Sequence, residues 1–235
     1  MLPHRWLRYA MLAAASCGAL PAQAGPDHIP GWGDSMEMPQ GTPWTMPPGI
    51  VMAAEGLNPV DLEHCRNRGQ KVRSNPIGTG GGVALCITFR NINPRGVGTQ
   101  GPIKVTIRGG ATFIPDNIST QNGIIIQKGT WEIRPGETLF LPIFLICMNP
   151  SRSSSVPYQT FRPGPVVQHP GVRKIIAMFE GKPLPQVSFA AGALGSISTG
   201  RKIDRSLLDL IRGEWEALGV KDDPAKYLSP DMMKK

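Results

Sequence analysis

Between residues 69 and 150 the apolar residues fall largely on alternate positions. "GGVALCITFRNI" sets Val83, Leu85, Ile87 and Phe89 on one face of a strand and Ala84, Cys86 and Thr88 on the other. "PIKVTIRG" alternates Ile103, Val105 and Ile107 with Lys104, Thr106 and Arg108, as a strand does with one face in a core and the other in water. "GIIIQKG" and "TWEI" follow, and "TLFLPIFLIC" lines up Leu139, Leu141, Ile143, Leu145 and Cys147 as another core wall. Just before it, "RPGE" at 134–137 places Pro and Gly at the centre of a type II turn. Short strands with short links predict antiparallel pairing. The fold class expected is α+β: an antiparallel β-sandwich, Ig-like in architecture, followed by a short helical subdomain.

After residue 170 the period changes from two to between three and four. Val172, Ile175, Ile176 and Phe179 share one helical face, and Gly181 and Pro183 end it. "DRSLLDLIRGEWEALG" repeats the pattern through Leu207, Leu208, Ile211, Trp215 and Leu218, with Gly219 as the stop. Between them "SFAAGALGSIST" suits a small-residue helix from Ser188, opposed by its two glycines. The chain therefore divides into 1–24, an N-terminal leader; 25–68, an extended arm; 69–150, the sandwich; 151–170, an irregular loop; and 171–235, the helical part.

The arm and the loop break both periods. Residues 25–58 are crowded with Pro and Gly, yet hold Trp32, Trp44, Met36, Met38, Met46 and Met52. A disordered linker seldom carries so much large apolar surface. The arm therefore packs on its own domain or on a partner, and the two readings stand level. The stretch 149–170, "NPSRSSSVPYQTFRPGPVVQHP", is long for a structureless link, which points to function. Trp32, Trp44, Met46, Tyr158 and Phe161 are the candidate partner contacts.

Composition adds a destination. Arg5 and Arg8, an apolar run from Tyr9 to Leu20 and "AQA" at 22–24 form a secretory signal cleaved before Gly25. "AASC" offers acylation at Cys17 as the alternative, but Ala14 stands where a lipoprotein signal has Leu, so soluble export to the periplasm or outside is preferred. No stretch reaches the length of about 18 apolar residues that a membrane span needs. The whole chain has 25 Lys+Arg, 17 Asp+Glu and a formal net charge of +8. Loss of Arg5 and Arg8 leaves 23 basic residues against 17 acidic ones. That balance suits an anionic envelope surface, but the cations do not interleave with aromatics as a nucleic-acid groove requires. No nucleic-acid partner is expected. Past the cleavage point three cysteines remain, which predicts one disulfide, Cys65 with Cys86 or with Cys147, and one free thiol.

Candidate chemistry is sparse. A thiol enzyme needs a nucleophile and a base, and Cys147 with His169 is the only pair on offer. A related alternative is an internal thioester between Cys147 and Gln127, Gln168 or Gln186. His28 with Met36, Met38 and Met46 is a soft donor set suited to copper, the one cofactor admitted. His64 beside Cys65 lacks a second ligand pair for zinc. Ser151, Ser153, Ser154 and Ser155 lie in no GxSxG turn, and "GTGGG" at 78–82 lacks the Lys and helix of a phosphate loop. The function expected is a non-catalytic binding or structural protein of the envelope or secretome, touching a protein partner through the arm and the 149–170 loop.

Overall fold

The structure is a computed structural model that describes residues 29–66, 75–96 and 101–234. The leader, Cys17 and His28 lie outside the described residues. The strands are β1 Gly41–Thr42, β2 Ile50–Gly56, β3 Ile77–Gly78, β4 Val83–Asn91, β5 Ile103–Ile107, β6 Ala111–Pro115, β7 Gly123–Ile124, β8 Gly129–Ile133, β9 Thr138–Cys147 and β10 Thr160–Val167. The helices are a single turn, α1 Glu63–Arg66, then α2 Pro170–Phe179, α3 Ala190–Ser198 and α4 Arg205–Ala217.

The coarse expectation holds: antiparallel strands come first and short helices follow. The Ig-like sandwich does not. One sheet runs β10-β2-β4-β9-β7-β6 and closes on itself because β10 pairs with β6 as well as β2. Thr160 and Phe161 pair with β2, while residues 161–166 pair with β6 across a bulge between Pro163 and Val166. The result is a six-stranded barrel-like ring, with β5 and β8 as a separate two-stranded ribbon. Closure needs two strands that look like connectors in the sequence. Both β2, inside the expected arm, and β10, inside the expected loop, are strands of this ring. "TFRPGPVV" hides a strand because its prolines remove two backbone donors, which a strand tolerates at a bulge or an unpaired side.

The alternation read from the sequence fills the ring. Val83, Leu85, Ile87, Phe89, Leu139, Leu141, Ile143 and Leu145 all point into one core with Val105, Ile107 and Phe113. The outer face of β4 carries Ala84 and Cys86, which pack with Leu57, Cys65 and Phe144 under α1. Cys65 and Cys86 form the disulfide there, and Cys147 is the free cysteine. The turn at 134–137 has the expected form: Gly136 sits at φ +66°, and Glu137 N–H donates to the Arg134 carbonyl at 2.9 Å.

A second core joins the outer faces of β7 and β9 to the helices, through Ile124, Ile146, Ile175, Phe179, Leu194, Ile211 and Trp215. Phe179 meets Trp215 edge to face at 5.8 Å, which uses the opposed charge of ring edge and ring face. The helix α3 forms despite its glycines. Glu214 of α4 accepts the Phe189 N–H and the Ser188 hydroxyl, capping its start. Gly192 lies against Leu207, where a Cβ would come within 3.3 Å, so the small residue lets α3 and α4 approach.

The arm belongs to both cores. Trp32 is 4% exposed and packs in the helical core, while Trp44 and Met46 pack against the ring core. Trp44 meets Phe113 edge to face at 5.7 Å. Buried Asn149 fastens the arm by donating to the carbonyls of Gly31 and Gly33, both at 3.0 Å. Satisfying those carbonyls inside the protein removes a desolvation cost that would otherwise oppose burying the segment.

Candidate functional site

The strand β5 presents Lys104 and Thr106 on its outer face, as its alternation requires, and Arg108 follows directly after its end. Across from it β8 brings Thr130, whose hydroxyl lies 3.0 Å from that of Thr106. The α2 helix contributes Arg173. Its guanidinium donates to the Gly109 carbonyl at 2.6 Å, close to the turn where Gly110 adopts φ +93°. A side chain at Gly109 would collide with Ile176 and the Ile126 carbonyl, so glycine there permits α2 to come this near. Together these elements line a cleft of about 720 Å³ with Lys104, Arg108, Lys128 and Arg173 on its walls. Glu180 is the acid on that lining, and Glu132 lies 3.9 Å from Lys104 in an exposed pair that water screens. A smaller cavity beside it shares Lys104, Thr106 and Arg108 and adds the ring of Trp44.

A second cleft, of about 440 Å³, separates the end of β9 from α3 and includes Cys147, Gly80, Gly81, Ser196 and Arg201. Gly82 borders the thiol so closely that a Cβ there would overlap the Cys147 sulfur. The same point lies 3.5 Å from Gln121 Nε2 and 3.6 Å from Ser154 Oγ. Burial pushes the Cys147 thiol above its usual pKa, partly offset by the backbone N–H groups of Gly82 and of Cys147 itself. That direction is opposite to the lowered pKa by which a thiolate is activated.

The sequence-derived candidates separate in space. His169 stands at the N-cap position of α2 and is absent from the residues that line the Cys147 cleft. Gln127 holds the Gly78 N–H, Gln168 lines the basic cleft and Gln186 gives its carbonyl to Gly80 and Thr79. Gln121, absent from that set, is the glutamine beside Cys147. Its signal lay in the register: it stands two residues before Gly123, the partner of Cys147.

Among the soft donors, Met46 is packed on the ring core, whereas Met36 and Met38 are exposed. The Met36 and Met38 sulfurs lie beside the guanidinium groups of Arg152 and Arg162, at 3.5 and 3.7 Å. Positive neighbours oppose a copper ion there. Of the candidate partner contacts, Trp32, Trp44, Met46 and Phe161 are occupied within the protein's own cores, and Tyr158 is 64% exposed.

No family model, curated protein or solved structure matches this chain. No helix among the described residues is long and apolar enough to cross a membrane.

Proposed function

We propose that this is an exported, non-catalytic binding protein that holds an anionic component of the cell envelope, such as an acidic glycan or polymer, in its basic cleft. The observation that carries this reading is the convergence of Lys104, Arg108, Lys128 and Arg173, from two separate elements and two loops, around a single cleft. Like charges brought together raise the local potential and are relieved by a bound anion. Thr106, Thr130 and Gln168 add neutral hydrogen-bonding groups, and Trp44 supplies an apolar ring at the adjoining cavity. This composition suits an acidic sugar, whose carboxylates, hydroxyls and flat faces need all three. The Cys65–Cys86 disulfide is in keeping with an oxidising destination.

Polygalacturonate is a suitable probe. The double variant Arg108→Ala, Lys128→Ala binds it roughly tenfold more weakly, if each screened contact contributes somewhat under 1 kcal/mol. Added salt weakens the parent protein more steeply than the variant, because fewer charges remain to be screened. Equal affinities measured by titration at low salt would remove the cleft as the binding site.

A protein contact is a second reading, and Tyr158 favours it. This exposed aromatic holds φ +64°, a left-handed conformation uncommon for a side chain of its size. The Tyr158 N–H donates to Gly56 and the Gln159 side chain donates to Thr120, which fixes the loop around it. Strain retained in an exposed loop is a mark of recognition surfaces. A photo-crosslinking residue placed at 158 in the native host captures a discrete protein partner on this reading; adducts with none would end it.

A further inference from the structure

We propose that Cys147 and Gln121 join as an internal thioester, which gives the protein an electrophile for covalent attachment to a primary amine on its partner. The inference stands apart from the anionic-ligand reading and rests on the register, one glycine and one buried amide. Gly123 pairs directly with Cys147, and Gln121 lies two residues before it on the approach to β7. Gly82 clears the space between the two groups: a Cβ there would overlap the Cys147 sulfur and lie 3.5 Å from Gln121 Nε2. One backbone position that could have carried a side chain is empty between one thiol and one amide.

Gln121 is 6% exposed, and its Oε1 is buried with no hydrogen-bond partner. A strong amide acceptor left in that state is costly. A thioester oxygen is a weaker acceptor, because sulfur donates less electron density to the carbonyl than nitrogen does. Conversion therefore relieves the site. In the first step Cys147 Sγ bonds to Gln121 Cδ, the Cδ–Nε2 bond breaks, and the nitrogen leaves as ammonia with the thiol proton. In the second an amine attacks Cδ, the carbon–sulfur bond breaks, and a proton from the amine returns to the Cys147 sulfur. No oxidant or reductant is consumed. The cleft between β9 and α3 reaches Cys147 and is the route for ammonia to leave and the amine to enter. The burial of Gln121 limits the access of water to Cδ in the interval.

The test is mass spectrometry of the full chain isolated from its native host in amine-free buffer. The expected result is a peptide pair joining residues 121 and 147, lighter by one ammonia than its unjoined parts. Methylamine then yields a methylamide at 121 and one newly alkylatable thiol at Cys147. Both products vanish in Cys147→Ser and in Gln121→Asn. A carboxylate at 121 that appears in the parent protein and is absent from Cys147→Ser also supports the bond, as its hydrolysis product. An intact Gln121 amide together with a Cys147 thiol fully alkylated on unfolding overturns it, and that reading needs no variant to fold.

Discussion

The double variant Cys65→Ala, Cys86→Ala is expected to melt roughly 6–12 °C below the parent protein, a loss of about 3 kcal/mol. The bridge spans 21 residues of sequence, so breaking it returns a loop of that length to the unfolded ensemble. Its local role points the same way. The single turn α1 has four residues, too few to persist alone, and the disulfide pins it to the outer face of β4. Both sulfurs are buried among Leu57, Ala84 and Phe144, so alanine replacement also leaves small voids. Thermal melts of the variant, and of the parent protein in reductant, check the value. A shift of about 2 °C or less in both would show that the bridge constrains little.

Trp32→Ala is expected to cost about 3–5 kcal/mol by chemical denaturation, as for other aromatic residues removed from a core. The indole is 4% exposed in the helical core, and the backbone around it is held by Asn149 and by Gly33 N–H donating to the Met148 carbonyl at 2.8 Å. The same substitution separates the two readings of the arm. A partner anchor would leave stability nearly intact when truncated, whereas a structural residue lowers the midpoint in the absence of any partner. A loss under about 1 kcal/mol would place Trp32 outside the core it fills here.

The strands of the barrel and the face each presents were legible because alternation is a local signal. Ile87 and Leu141 point inward for the same reason that Cys86 and Phe140 do not, and no distant information is needed to see it. Ring closure was not legible. It depends on β10 meeting β2 and β6, partners more than 40 residues away, through a segment whose prolines resemble a connector. The polar face of β5 was visible in the sequence as a solvated edge. What made it a cleft was Arg173, 65 residues after Arg108 and drawn in by the Gly109 carbonyl. The Gln121–Cys147 pair was missed for a related reason. A two-residue strand such as β7 leaves no periodic trace, yet it sets the register that brings the two side chains together.

The closing strand also orders events during synthesis. A chain that has emerged only as far as residue 159 contains β2 and β6 with no strand to join them, and each presents an open row of backbone donors and acceptors. Nothing in the first two thirds of the protein can complete the ring. The clasp is made by residues 160–167, and α2 begins three residues later to cover the outer wall. A chain stopped short of residue 160 therefore carries nearly all of the barrel's apolar interior without the means to enclose it, and such fragments are prone to join one another edge to edge.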